Sequence, residues 1–345
     1  MRSVVVTGTS TGIGWGTTKV LIARGFRVFG SVRKKADAER LSAEFGAAFV
    51  PLVFDVTDED AVGSAAARVG DALAGEKLFG LVNNAGVAVA GPLLELPLNE
   101  FRHQIDINLT GVVITTKAFG PLLGTDRALK GPPGRIVNIS SVGGKNAVPF
   151  LSPYAASKFA LEGLSEGLRR ELLPFGIDVI VVAPGAVATA IWAKAEQVDI
   201  TPYLDTPYAA ALERMRSVML GLGKKGLPPE RIGEAVLRAL TAARPCVRYT
   251  VTPQPLQDFL ARALPKRIVD RLIGGQLGLL PQINARASSS PHTGASDQNS
   301  STSSHWILPN PSASVLFALA ISGHTRKLIV CFPFLLSVCT RCPSL

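Results

Sequence analysis

Ser3-Val4-Val5-Val6-Thr7-Gly8-Thr9-Ser10-Thr11-Gly12-Ile13-Gly14 is the stretch on which the fold turns. A short apolar, β-branched run followed by a glycine-rich turn reads as a buried strand entering a tight loop. The pattern then reads as helix as far as Gly25. Strand, glycine turn and helix together are the context that a dinucleotide-binding fingerprint requires. The glycines allow close backbone approach to a pyrophosphate, and the helix N-terminus favours its charge. A glycine-rich turn alone is weak evidence, so the rest of the chain has to agree with it.

It does so by rhythm. Phe26 to Val32 reads as a second strand, Ala36 to Phe45 as a charged helix, and Ala48 to Phe54 as a third strand ending at Asp55. Thr57 is placed to cap the next helix, which runs to about Leu73. Leu78 to Val82 is a fourth strand, ending at Asn83-Asn84-Ala85-Gly86. Pro97 to Leu123 is mostly helical, with a break expected near His103 to Ile107. Arg135 to Ile139 is a fifth strand, the helix carrying Tyr154 runs to about Leu173, and Ile177 to Val182 is a sixth. Pro229 to Ala243 reads as helix and Val247 to Val251 as a seventh strand. Strands that are near-continuous apolar runs, alternating with helices, predict a doubly wound α/β fold: one domain with a parallel sheet of about seven strands covered on both faces.

Composition narrows the function classes. The chain has 345 residues, 47% hydrophobic and 18% charged, enough for a large core. The net charge of +10 is spread in short groups such as Arg33-Lys34-Lys35, without an aromatic-interleaved basic stripe, so nucleic acid is not expected as a partner. Four cysteines, Cys246, Cys331, Cys339 and Cys342, do not make a secreted disulfide framework. Cys339-Thr-Arg-Cys342 with His324 is too sparse for a metal site, and no metal is expected. The start of the sequence leaves no room for a signal peptide, and no apolar run reaches the length of a spanning helix. A cytoplasmic body is the expectation.

Beyond Pro184-Gly185 the rhythm changes. Residues 190–227 contain helical segments without a strand and are expected to form a lid over the site, because ligands in such sheets bind beyond the carboxyl ends of the strands. Leu256 to Leu280 is amphipathic, which fits core packing, a subunit contact or peripheral contact with a membrane surface. Packing is the default. From about residue 283 the composition breaks. Serines crowd residues 288–304 and two interrupted apolar patches follow, so 283–345 reads as a low-complexity, disordered tail outside the 1–282 domain.

The chemistry is read from Tyr154-Ala155-Ala156-Ser157-Lys158. On a helix, positions four apart share a face, which sets the Lys158 ammonium beside the Tyr154 phenol. A nearby cation favours the phenolate and so lowers a pKa that is otherwise about 10. Ser141, at the end of the fifth strand, is placed to hydrogen-bond the oxygen of a carbonyl or alcohol.

Thr7-Gly8-Thr-Ser-Thr-Gly12-Ile-Gly14, Asp55-Val56, Asn83-Asn84-Ala85-Gly86, Asn108, Ser141, Tyr154 with Lys158, and Pro184-Gly185 followed by Val187 and Thr189 occur in one order along residues 3–250. In these motifs the sequence resembles the short-chain dehydrogenase/reductase family, and within it members similar to retinol and hydroxysteroid dehydrogenases. The resemblance implies a Rossmann-type fold and an NAD(P)-dependent oxidoreductase interconverting an alcohol and its carbonyl. It implies that Tyr154 is the general acid and base, with Lys158 lowering its pKa and holding the nicotinamide ribose. Ser141 would orient the substrate oxygen, and Asn108 would hold a water relaying protons through Lys158. Thr7, Gly8, Thr11, Gly12, Ile13, Gly14, Asp55, Val56, Asn83, Ala85, Gly86, Pro184, Gly185, Val187 and Thr189 would surround the cofactor. A homodimer or homotetramer is implied as well.

Cofactor choice rests on Ser31-Val32-Arg33-Lys34-Lys35, which has no acid to bind a ribose 2′-hydroxyl and two cations, Arg33 and Lys34, for a 2′-phosphate. NADP(H) is favoured over NAD(H). Val142, Val148, Phe150, Leu151, Ile191 and Trp192 are candidate substrate contacts, which suits a steroid, retinoid or other lipid-like alcohol. The alternatives are a ketone or 3-oxoacyl reductase of biosynthesis, or a non-catalytic cofactor-sensing protein on the same fold.

Overall fold

In the computed structural model, residues 1–189 and 199–281 are described. The strands are β1 (Ser3–Val6), β2 (Arg27–Val32), β3 (Phe49–Val53), β4 (Gly80–Asn83), β5 (Arg135–Ile139), β6 (Asp178–Pro184) and β7 (Arg248–Val251). They form one sheet in the order β3-β2-β1-β4-β5-β6-β7, parallel at every pairing. The chain reverses its winding between β1 and β4, which pair from Val4↔Gly80 to Val6↔Val82. That reversal opens a crevice at the carboxyl ends of the two strands.

The helices are α1 (Gly12–Ala23), α2 (Lys35–Phe45), α3 (Glu59–Leu73), α4 (Leu98–Ile105), α5 (Gly111–Gly120), α6 (Ser152–Glu171), α7 (Ala209–Lys224), α8 (Pro229–Thr241), α9 (Pro255–Ala263) and α10 (Lys266–Leu277). Met1–Leu279 makes up one compact unit holding all of them. Alternation along β1 divides the core. Val4 and Val6 pack with Leu21, Ile232, Val236 and Leu240 on one face, and Val5 packs with Val62, Val69 and Phe119 on the other. Both layers cover the strands, which is why β1 is buried at every residue and reads as an unbroken apolar run.

Three local details differ from the sequence reading. Asp58, not Thr57, caps α3: its carboxylate accepts from Ala61 N at 2.9 Å, while Thr57 donates its own N–H and hydroxyl to Asp55 Oδ1. The break expected near His103 to Ile107 falls slightly later, as a π-helical turn over Asp106–Thr110 between α4 and α5. Gly16 reads as a weak point of α1, yet a Cβ there would stand 2.7 Å from the Pro229 backbone. It is small because α8 crosses α1 at that point.

Of the expected lid, α7 and the turn Thr201–Tyr203 are described, and residues 190–198 lie outside the described residues. So does the expected tail. The Leu256 to Leu280 stretch divides at Leu264-Pro265 into α9 and α10. Among the described residues no helix is long and apolar enough to cross a membrane, and none form a metal-binding cluster.

Candidate active site

The crevice is a cavity of about 280 Å³. Its floor is the glycine turn, where Gly8 and Gly12 have φ of +69° and +60°. A Cβ at Gly8 would stand 2.9 Å from Ala85 Cα, so the turn and the β4 loop close together only around a glycine. Thr11, at the N-terminus of α1, offers no side-chain cap, and the helix has no acid in its first turn. The orphan N–H groups there point at an anion site. Ser140 Oγ, on the crevice wall, is buried without a hydrogen-bond partner. A glycine cradle, an uncapped helix start and a spare hydroxyl fit a dinucleotide cofactor.

Of the residues the sequence singles out, Gly8, Thr11, Gly12, Ile13, Arg33, Asp55, Val56, Ala85, Gly86, Tyr154, Lys158 and Thr189 line the crevice. Arg33 stands at its rim, two-thirds exposed, with its guanidinium 3.9 Å from Asp55 Oδ2. Lys34 lies outside the wall, at the N-terminus of α2.

Other residues serve the site from behind. Thr7 Oγ1 accepts from Asn84 N at 2.9 Å and Ala85 N at 3.0 Å, so it ties β1 to the β4 loop. Asn83 faces the interior: it donates to Asn138 Oδ1 at 2.9 Å and accepts from Thr115 Oγ1 at 2.8 Å. Asn138 in turn donates to Ser165 on α6. A buried Asn pair needs such partners, and that need takes Asn83 off the cofactor wall. Gly14 carries α1 past the turn, where a Cβ would overlap Gly8 O. Gly185 donates its N–H to Val251 O next to the Pro184 end of β6, and the Val187 side chain packs in the core.

The expected substrate contacts separate in the same way. Phe150 is buried against Tyr203, Leu212 and Met215, with Val148 and Leu151 packed on that cluster. It adopts φ of +64°, an unusual conformation for a bulky residue, and meets the Tyr208 ring edge-on at 6.0 Å. Packing against α7 holds Phe150 away from the crevice. Ile191 and Trp192 lie outside the described residues.

The reactive groups come from two elements. Pro153 in the first turn starts α6, which carries Tyr154 and Lys158, and the end of β5 carries Ser141. Lys158 is 6% exposed; its ammonium donates to Ile139 O at 2.8 Å and stands 5.8 Å from the centre of the Tyr154 ring. Burial lowers its pKa to about 8, opposed by the charge of Glu162. Burial raises the Tyr154 pKa, opposed by a hydrogen bond with Ser141. The phenol is therefore held neutral by burial, with Ser141 as its hydrogen-bond partner.

Asn108 is fully buried in the π-helical turn. Its Oδ1 accepts from Val87 N at 2.9 Å, and its Nδ2 donates to Val87 O and to Ser157 Oγ at 3.1 Å. Its amide thus clamps the β4 loop to α6. Among the described wall residues, Phe54, Val87, Ile139 and Ser140 were not anticipated as contacts, while Ser10, Ser31 and Asn84 lie within the motifs read from the sequence. Ser31 accepts from Gly8 N at 2.9 Å. A polar residue at the end of an otherwise apolar strand was the available signal.

A parallel sheet with a glycine cradle at its switch point, and a tyrosine, serine and lysine gathered at one end, define a nucleotide-dependent oxidoreductase. The short chain dehydrogenase family matches residues 2–199. An NADPH-dependent 3-dehydrocapnine reductase from Ornithobacterium rhinotracheale is 38% identical, over 82% of this chain and 99% of its own. Retinol dehydrogenase 16 of Mus musculus is 29% identical over 79% of this chain and 87% of its own. A solved short-chain dehydrogenase from Streptomyces avermitilis superposes with a TM-score of 0.64 and 27% identity, over 81% of this chain and 97% of that one. The chain belongs to the short-chain dehydrogenases, and is an oxidoreductase acting between alcohols and carbonyls.

Proposed function

We propose that the chain is an NADP(H)-dependent oxidoreductase for an apolar alcohol or ketone, with Tyr154 as the proton donor and acceptor. The observation that carries this is the convergence of Tyr154, Lys158 and the Ser141 hydroxyl at the end of the glycine-lined crevice. The cofactor, when bound, supplies or accepts the hydride. Everything else falls to the chain. Ser141 orients the substrate oxygen toward the phenol, Tyr154 gives that oxygen a proton in reduction and takes it back in oxidation, and Lys158 keeps a positive charge beside the phenol as it ionises. Gly8, Gly12 and the start of α1 hold the pyrophosphate.

Arg33 at the rim, with no acid at the end of β2, supports NADP(H), as does the NADPH dependence of the Ornithobacterium relative. The half-buried apolar residues Val148 and Leu151, just ahead of Tyr154 in the chain, support an apolar substrate, with Phe150 committed to the cluster behind them. The exposed stripe Ala156, Phe159, Ala160 and Gly163 on α6 supports a homo-oligomer joined through the catalytic helices. A cytoplasmic enzyme of one domain, ending near residue 282, completes the reading.

The test is a fluorescence titration of NADPH and NADH, followed by turnover of a carbonyl panel at 340 nm. NADPH binds more tightly, Arg33→Ala removes most of the difference, and Tyr154→Phe cuts kcat by about 10²–10⁴-fold. Binding of neither cofactor, or full activity in Tyr154→Phe, sinks the proposal.

A further inference from the structure

We propose that the buried ion pair between Glu162 and Arg248 is a positioning device of this site, bracing β7 against α6 so that Ser141 keeps its place relative to Lys158 and Tyr154. The inference rests on the catalytic reading above. Glu162 lies one turn after Lys158 on α6. Arg248 Nε donates to both of its carboxylate oxygens at 3.1 Å, and the two side chains are 6% and 19% exposed. The same guanidinium donates through Nη2 to the Ser141 carbonyl at 3.5 Å and through Nη1 to Thr250 Oγ1. One arginine on an edge strand thus touches the residue that orients the substrate oxygen and the helix that carries the proton donor.

The loop between them is fitted closely. A Cβ at Gly144 would stand 2.8 Å from Ser140 Oγ, 3.0 Å from Lys158 O and 3.1 Å from Glu162 Cγ. The segment after Ser141 therefore lies flat on α6 between the two charged residues, and Lys145 Nζ adds a second cation 3.9 Å from Glu162. Stability alone is a poor reason for this arrangement, since desolvating a buried pair cancels much of its attraction. What the pair fixes is geometry, and it puts a negative charge near the Lys158 ammonium.

The charged surroundings of Lys158 are few among the described residues. Tyr154 and Glu162 share its helix, and Arg248 and Lys145 reach it only through Glu162. β5 gives the Ile139 carbonyl, and the π-helical turn gives uncharged Asn108 through Ser157, its Asp106 being exposed.

The experiment compares Glu162→Gln, Glu162→Asp, Arg248→Met and the double variant Glu162→Gln/Arg248→Met with the full-length wild type. Turnover, NADPH titration and melting are followed across pH. Each single neutralisation lowers kcat by about 10²-fold, the cost of a small misplacement at a reacting centre, with a much smaller change in NADPH affinity. Glu162→Asp recovers part of the loss. Because Glu162 favours the Lys158 cation, Glu162→Gln moves the alkaline limb of kcat/KM to lower pH. In the cofactor-free protein, the rise in stability caused by Lys158 deprotonation also begins at lower pH. The double variant regains the melting temperature without regaining kcat. Wild-type kcat in the double variant, or losses that track melting with both pH limbs unmoved, overturn the proposal. Tyr154→Phe runs alongside: if it stays active the catalytic reading itself fails, whereas if it is inactive and the double variant normal, only the positioning role fails.

Discussion

At Lys158 burial and function pull against each other. An ammonium desolvated to a pKa of about 8 costs the fold energy at every pH where it stays protonated. The unfolded chain returns it to an ordinary lysine value. Between pH 8 and about 10 the unfolded state then binds more protons than the folded one, so stability rises with pH through that window. The expected outcome is that wild type gains stability relative to Lys158→Met from pH 8 to 10, by an amount approaching about 3 kcal/mol. Urea unfolding at stepped pH measures it, and parallel curves for the two proteins would refute it. Tyr154 acts with the opposite sign, because its raised pKa removes stability only above pH 10. The tyrosine–lysine pair was legible in the sequence only together with the other motifs, since its spacing alone is that of an ordinary helix surface. Its surroundings were not: burial acts on both groups, and the hydrogen bond that joins Tyr154 to Ser141 links segments with no shared pattern in the sequence. Glu162 carries no signal in its own segment, because nothing local says that Arg248 of β7 will meet it.

The elements were legible wherever a pattern repeats within one segment. The inner strands are short, mostly apolar runs because helices cover both their faces, and that burial writes itself into consecutive residues. Contacts between segments leave no such trace, and Gly16 shows the consequence. Taken by itself, glycine in a helix costs up to about 1 kcal/mol relative to alanine, so Gly16→Ala looks like an improvement. In the fold, a Cβ at Gly16 would stand 2.7 Å from Pro229 Cβ, and one at Gly233 would stand 2.8 Å from Gly16 O. The two glycines let α1 and α8 cross in contact. Gly16→Ala is therefore expected to destabilise, by about 1–3 kcal/mol as an overpacking substitution, despite its better helix propensity. A lower urea midpoint with an unchanged slope checks this; a higher midpoint would show that the crossing can open at little cost. Asn83 makes the same point for polar groups. Its motif marked it for the cofactor, but its hydrogen bonds run through Asn138 to Ser165 of α6 and directly to Thr115 of α5, joining two strands to two helices.

For the molecule as a whole, the surface raises the question that neither pattern nor core answers. Ala156, Phe159, Ala160 and Gly163 recur at helical spacing on the outer face of α6, all exposed, with Phe159 at 44%. Val113 on α5 is exposed as well. A Cβ at Gly163 would meet nothing within 4 Å among the described residues, so that position has room for a side chain there. An apolar stripe of small residues around one phenylalanine suits close approach of a second helix, and a symmetric dimer supplies the same stripe in reverse. The opposite face of α6 carries Lys158 and Glu162, so such a contact would stiffen the helix that bears Tyr154 and Lys158 without entering the crevice. Phe159→Glu places a charge at the centre of that stripe while leaving the core untouched. In a dimer it is expected to shift the sedimentation coefficient toward the monomer at micromolar concentration and to lower the melting temperature, with NADPH still bound. An unchanged assembly in Phe159→Glu would move the subunit contact elsewhere, to the exposed apolar residues of α9 and α10, where Phe259 and Leu272 are the next positions to charge.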